Sequence, residues 1–281
     1  MTSKFLEDFR EVIQETGLCI LSKHRGGFQF TNTFFPYTSG EIGPYYVQSG
    51  VVQNNGADYN LAVKNMSKLV EMIVGDDELS KVVISGGETR DWIFSNPTAV
   101  TLGVPHLMLY KDGKSVGADV KGKEVVHIAD LNNEGSSPRD YWIPAIKKAG
   151  RTINDIFFYV DRMEEGVQVM EDLRLVRNAV VPLNEHAWEY LQKKGVVSAE
   201  IYKNLMARGK SEEERDAWAR SMLKSDAGLA RLVQLFDSDK DREKVRKIVN
   251  KGYLDMGGEL VEVIKQRSHA KINVDEWLAG M

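Results

Sequence analysis

Residues 125–137 read V-V-H-I-A-D-L-N-N-E-G-S-S. Val125 to Ile128 is a short apolar run, the length of a buried strand. Asp130 follows, then a small polar loop ending Gly135-Ser136-Ser137, then Pro138, a favoured first-turn residue of a helix. Strand, polar loop and helix start together make the layout of an anion site, where backbone N–H groups face a phosphate. Yet Glu134 sits inside this loop. A carboxylate about 5 Å from a phosphate costs on the order of a few kcal/mol at an effective dielectric near 20, roughly a hundredfold in affinity. Turned outward, or paired with a cation such as Arg139, it costs little.

The same theme repeats on both sides of this stretch. Val82-Val83-Ile84 is an apolar run closed by Gly86-Gly87, with a helix through about Leu102. His106 to Tyr110 reads as the next strand, Val125 to Ile128 as the third with a helix from Pro138 to Ala149, and Ile156 to Val160 as the fourth. Strands alternating with helices of this length predict an α/β fold, a parallel sheet with crossover helices. In such sheets a ligand sits beyond the carboxyl ends of the strands. The candidate site residues therefore lie in Ser85–Arg90, Lys111–Lys114, Asp130–Ser137 and Asp161–Gly166.

Upstream, residues 3–17 have helical apolar spacing that ends at Gly17. Phe28 to Val47 is aromatic-rich and reads as short strands and a loop, and 58–74 is a helix ending at Gly75. From Gly209 the character changes. Leu229, Leu232, Val233 and Phe236, then Val245, Ile248 and Val249, then Leu260, Val261 and Ile264 fall at helical spacing with no strand among them. The expected division is an α/β domain over 1–208 and a helical extension over 209–281.

The chain has 281 residues and a net charge of −4, so no broad basic field faces nucleic acid or an anionic membrane. No apolar stretch is long enough to span a bilayer, and the charged start M-T-S-K-F-L-E-D-F-R-E is not a secretory leader. The lone cysteine, Cys19, cannot form an internal disulfide. It is expected as a buried small apolar residue in a reducing compartment, which places the protein in the cytoplasm. Standard dinucleotide and P-loop motifs are absent. Asp237-Ser238-Asp239-Lys240-Asp241 begins like a calcium loop, but Arg242 and Ile248 stand where glycine and glutamate are needed. The five histidines have no metal-ligand spacing, and His127, inside a strand, reads as a satisfied core residue.

Five segments, in order, resemble the signature loops of the type I phosphoribosyltransferases, most nearly the orotate phosphoribosyltransferases, over roughly residues 5–205. Thr38 to Gly50, T-S-G-E-I-G-P-Y-Y-V-Q-S-G, is similar to the family's K-S-G-R-x-S-P-Y stretch, with Tyr45 matched but Thr38 and Glu41 replacing its two cations. Ser85 to Trp92, S-G-G-E-T-R-D-W, resembles the pyrophosphate loop, in which Gly86, Gly87, Glu88, Thr89 and Arg90 would hold an anion; Asp91 stands where glycine is usual. Tyr110 to Gly117, Y-K-D-G-K-S-V-G, resembles the opening of the mobile catalytic loop, with Lys111 and Lys114 matched, but it is several residues shorter and has Val116 for the histidine. Its other reading is an exposed charged hairpin. The opening stretch resembles the loop that binds phosphoribosyl pyrophosphate (PRPP). Asp130 matches the second of two ribose-binding acids and Ala129 replaces the first, while Asn133, Glu134, Gly135, Ser136 and Ser137 form the 5′-phosphate cradle. Val160 to Gly166, V-D-R-M-E-E-G, resembles D-R-x-E-x-G, with Arg162 as the base-binding guanidinium; its other reading is a buried structural ion pair.

The resemblance implies a parallel-sheet core with an N-terminal hood and a helical C-terminal extension. It implies transfer of ribose 5-phosphate from magnesium-bound PRPP to a pyrimidine-type base such as orotate, releasing pyrophosphate, as in pyrimidine nucleotide biosynthesis. Lys114 and Lys111 would steady the pyrophosphate, Asp130 the ribose and Arg162 the base. The Mg2+ would arrive with PRPP, with no metal site built by the protein alone, and the enzyme would be a homodimer because the family's lid serves the partner's site. The substitutions at Thr38, Val116, Ala129, Asn133 and Glu134 favour two other readings. One is a non-catalytic nucleotide- or ligand-binding or regulatory protein on the same fold; the other is a transferase with a changed donor or acceptor.

Overall fold

The computed structural model describes residues 3–279. In chain order the elements are α1 (Ser3–Lys23), β1 (Phe28–Pro36), β2 (Ile42–Val47), α2 (Gly56–Val74), β3 (Val82–Gly87), α3 (Trp92–Leu102), β4 (His106–Leu109), β5 (Ser115–Gly117), β6 (Glu124–Asn132), α4 (Ile143–Lys148), β7 (Ile153–Asp161), α5 (Glu165–Asp172), β8 (Val176–Pro182) and α6 (Glu185–Lys193). Six helices follow without a strand: α7 (Ala199–Ala207), α8 (Glu212–Lys224), α9 (Asp226–Asp237), α10 (Arg242–Lys247), α11 (Gly257–Arg267) and α12 (Val274–Ala279).

These elements form two compact units. One holds the described residues up to Phe28 together with Val47–Val196. Its sheet has six strands in the order β5-β4-β3-β6-β7-β8, parallel throughout except for the antiparallel edge pair β4/β5. Val82, Val83, Ile84, Ile128, Phe157, Phe158 and Val160 are buried. Such continuous apolar runs belong to strands covered on both faces. Gly75, at φ 88°, ends α2 where the sequence expects it. The register sets Ser85 beside His127 and Asn132 beside Asp161, so the carboxyl ends of β3, β6 and β7 lie together.

Several boundaries differ from expectation. Helix α1 runs through Gly17 to Lys23. Gly17 is there for packing: a Cβ on it would lie 2.4 Å from Val181 Cγ2, so its absence lets α1 lie close on β8. Strand β6 continues past Ile128 to Asn132 because Leu131 and Asn132 pair with Val160 and Asp161 of β7, which puts Asp130 in the strand and shortens the loop to 133–137. Pro138–Trp142 forms one wide π turn, closed by Ile143 N–H donating to the Pro138 carbonyl, before α4 begins. Cys19 is a free thiol on α1 and only partly buried, because the longer helix places it along a surface cleft with Tyr190.

The second unit joins Gln29–Tyr46 to the described residues from Val197 onward. Phe34 of β1 and Ile42 of β2 share one apolar core with Trp218, Leu232, Phe236 and Leu260. Gly40, at φ 98°, turns this hairpin so tightly against α10 that a Cβ would lie 2.5 Å from the Lys247 carbonyl oxygen. The sequence boundary at 208/209 falls inside this unit, between α7 and α8. Ser211 and Glu214 open α8 with a reciprocal capping box. Asp237, the first residue of the calcium-like run, accepts hydrogen bonds from Ser268 Oγ at 2.5 Å and from the His269 and Ala270 amides at 3.2 Å each. No helix among the described residues is long and apolar enough to cross a membrane.

Candidate functional site

The site is built where β3, β6 and β7 end. Asp91, buried just after the glycine turn, holds two strands together. Its Oδ2 accepts from Gly87 N–H at 3.0 Å, and its Oδ1 accepts from Asp130 N–H at 3.0 Å. A carboxylate of the chain itself thus occupies amides that an incoming anion would need. Glu88 N–H donates to the Leu109 carbonyl at 2.9 Å, and the Glu88 side chain accepts from Lys111 N–H at 3.0 Å. The Glu88–Thr89 peptide is cis, and Thr89 and Arg90 are exposed. Gly86 and Gly87 serve packing: a Cβ on Gly86 would lie 2.1 Å from Ser95 Oγ, and one on Gly87 would lie 2.1 Å from the ring of the buried Trp142.

Asp130 stands next to this bridge, and its Oδ2 accepts from Ser49 Oγ at 3.0 Å. Burial, and then the neighbouring Asp91 carboxylate, push the Asp130 carboxyl up to about 7, against smaller opposing effects of the Ser49 hydroxyl and Arg90. Beneath the pair lies His127, fully buried, with Nδ1 2.9 Å from Ser85 Oγ and Nε2 3.6 Å from Asp91 Oδ2. It is a core histidine, tied to the site through Asp91.

The 133–137 loop joins β6 to the Pro138 turn. Gly135 has φ 67°, and a Cβ on it would lie 2.8 Å from Met170, so glycine is required on both counts. Ser136 and Ser137 lead into the Pro138 turn, with Arg139 N–H donating to the Gly135 carbonyl at 3.3 Å. Glu134 does not pair with Arg139, which forks onto its neighbour Asp140 at 2.7 and 3.1 Å. Glu134 instead accepts from Asn133 Nδ2 at 3.4 Å and lies partly exposed.

Arg162 is buried, and its guanidinium is used within the chain. It reaches Glu164 Oε2 at 2.7 Å and donates to Asn133 Oδ1. The expected structural partner Asp161 is engaged elsewhere: it pairs with Arg177 and accepts from Asn132 Nδ2 at 3.1 Å and Met163 N–H at 2.9 Å. Gly166 closes this corner because a Cβ would lie 2.2 Å from Asn132 Oδ1.

Residues 110–117 form the tight charged hairpin. Gly113 N–H donates to the Tyr110 carbonyl at 3.0 Å, Tyr110 N–H donates to the Lys114 carbonyl at 2.9 Å, and β5 pairs with β4. Lys114 is exposed and its Nζ lies 2.6 Å from Asp112 Oδ2. Lys111 Nζ stands 5.7 Å above the Tyr141 ring, beyond the cradle. Tyr45 belongs to the other unit and is buried there, its carbonyl accepting from Tyr37 Oη at 2.7 Å and its ring 5.9 Å from the Arg208 guanidinium.

Sequence reasoning missed Ser49, Trp142 and the bridging role of Asp91. Only Asp91 carried a signal, an acid in a glycine position. A magnesium diphosphate is a poor fit to these donors: Gly87 N–H is taken by Asp91, Arg162 by Glu164 and Asn133, and Lys114 by Asp112.

No protein-family model matches the chain, and no curated protein matches it in sequence. Solved structures do match. The UMP synthase of Leishmania donovani is 20% identical over 69% of this chain with a TM-score of 0.57, and the match spans 41% of that longer protein. The orotate phosphoribosyltransferase of Francisella tularensis is 21% identical over 67% of this chain and 95% of its own, with a TM-score of 0.55. That of Aeropyrum pernix is 21% identical over 64% and 99%, with a TM-score of 0.51. With its parallel sheet and the loops at the carboxyl ends of its strands, the chain has the fold of the type I phosphoribosyltransferases.

Proposed function

We propose that this protein binds a nucleoside 5′-monophosphate, or another ribose 5-phosphate compound, and does not use PRPP as a donor. The observation that carries this reading is the Asp91 carboxylate on Gly87 N–H and Asp130 N–H. It places negative charge where a leaving pyrophosphate would have to be held, and charge stabilisation of the leaving group is the main task of such a catalyst. What remains on offer suits the other half of the ligand. Asp130 and Ser49 would offer a carboxyl and a hydroxyl to ribose hydroxyls, and the 133–137 loop, with its backbone amides, Ser136 and Ser137, would take the phosphate. The base is pyrimidine-type by analogy of fold alone.

A second reading, transfer of ribose 5-phosphate to orotate with Mg2+, has two observations in its favour: Asp130 is kept, and Lys111 Nζ stands over the ring of Tyr141 in the turn that follows the 133–137 loop. Calorimetric titration with UMP, ribose 5-phosphate and PRPP plus Mg2+ separates the two. The monophosphates bind, and PRPP gains nothing over ribose 5-phosphate; Asp91→Gly, which frees both amides, raises PRPP affinity selectively. Tighter binding of PRPP by the unaltered protein, with orotidine 5′-monophosphate formed when orotate is added, would establish the transferase instead. Binding of none of the three would sink both.

A further inference from the structure

A second group of side chains with ligand chemistry lies on α1 and α6. Glu11 and Glu15 are one helical turn apart on α1, and His186 is in the first turn of α6. One ligand atom from each lies within 4.8 Å of the other two. His186 Nε2 is 3.5 Å from Glu15 Oε1 and 3.8 Å from Glu11 Oε1. We propose that Glu11, Glu15 and His186 bind a divalent first-row transition ion of the zinc type.

Four observations carry this. Ligand atoms about 2.0–2.2 Å from a tetrahedral ion sit about 3.3–3.6 Å apart, so small side-chain rotations bring these three to that spacing. The His186 Nε2 atom is enclosed and, among the described residues, accepts or donates no hydrogen bond; the two carboxylates stand at ion-pair distance from it, and an enclosed ring nitrogen without a hydrogen bond is costly unless something else satisfies it. The two glutamates repel one another at this helical spacing, a strain that a bound cation relieves. Finally, the frame is held by part-buried hydrogen bonds. Gln14, between the glutamates in sequence, is buried and donates to the Pro182 carbonyl at 2.7 Å and to Asn184 Oδ1 at 2.9 Å, while Asn184 caps α6 by accepting from Ala187 N–H at 3.1 Å. The close approach at Gly17 completes this docking of α1.

One imidazole and two carboxylates form a three-ligand set that leaves a coordination position open. The imidazole selects zinc, cobalt or nickel over magnesium and calcium. Glu11 and His186 also line a cleft of about 410 Å3, room beside the group for water or a small ligand.

The test is a Co2+ titration of the full chain after removal of metal with a chelator, read by visible ligand-field absorption, with Zn2+ calorimetry in parallel. One ion per chain is expected. His186→Ala and the double variant Glu11→Gln/Glu15→Gln should each weaken binding by at least about tenfold, the order lost when even an outer-shell partner is removed. The glutamine pair keeps side-chain volume, and far-ultraviolet circular dichroism checks that each variant is folded. No uptake at millimolar Co2+, or uptake unchanged in both variants, overturns the proposal.

Discussion

The β3–β6 corner and the β6–β7 corner of the sheet both place carboxylates against backbone turns, yet they differ in what balances the charge. At the β6–β7 corner each buried acid has a guanidinium: Glu164 has Arg162, and Asp161 has Arg177. At the β3–β6 corner two acids stand together, Asp91 and Asp130, held by amides and one serine hydroxyl. The first arrangement is charge-matched and closed. The second stores like charge, holds one carboxyl near neutrality and leaves it partly open. Perturbed carboxyls of this kind mark functional ground more often than matched ion pairs do. On the function proposed above, the ligand-facing chemistry lies at Asp130, while Arg162 is paired within the chain.

The largest effect expected from breaking this contrast is at Arg162. Arg162→Ala leaves Glu164 buried without its guanidinium, and breaking a buried pair in this way costs on the order of 3–5 kcal/mol. A fall of that size in urea unfolding free energy is expected. A loss below about 1 kcal/mol, the range of exposed pairs, together with a large loss of ligand binding, would return Arg162 to a base-binding role.

The like-charged corner is read by pH. The folded Asp130 carboxyl sits near 7 against an ordinary 3.8, so the folded state binds the proton more tightly than the unfolded chain. Its contribution to stability is complete below about pH 4 and is lost as pH rises through 7. His106 acts in the opposite sense: burial, and then His127, lower it from 6.5 to about 4, so its contribution is present above 6.5 and lost as pH falls toward 4. The two slopes oppose one another in the unaltered protein. Asp130→Asn removes one of them, so the variant's urea midpoint, relative to the parent's, should rise steadily from pH 4 to pH 7. A difference that stays flat over that range would show that the two acids do not share charge as described.

The smallest effect belongs to the hairpin. Lys114 is exposed and pairs with Asp112. Lys114→Ala should leave both stability and nucleotide affinity unchanged within error. A loss of catalysed transfer in this variant would revive the lid reading of residues 110–117.

Much of the fold was legible in the chain. The apolar runs at Val82, Val125 and Ile156 marked central strands, because strands covered on both faces must be apolar on both. Gly75 marked a helix end, and Pro138 the turn that leads into α4. The loops after these strands were legible too, and in the right order. Roles within the loops were less so. Gly86 and Gly87 read as an anion turn, but Ser95 and Trp142 explain them. Gly17 read as a helix stop, but Val181 explains it. A glycine needed for φ and a glycine needed for close approach are the same letter.

By itself, then, the sequence determined the elements, their alternation and the strand ends that carry the site, since hydrophobic period and turn chemistry are local properties. Only the tertiary structure decided the partners. Asp91 reaches across to the amide of Asp130, Arg162 turns to Glu164, and the Phe34 hairpin joins the C-terminal helices in one core. It also brings His186 to Glu11 and Glu15 from the other end of the α/β unit. Charges and hydrogen bonds act over a few ångströms of space, and which residues come that close is set by packing rather than by order along the chain.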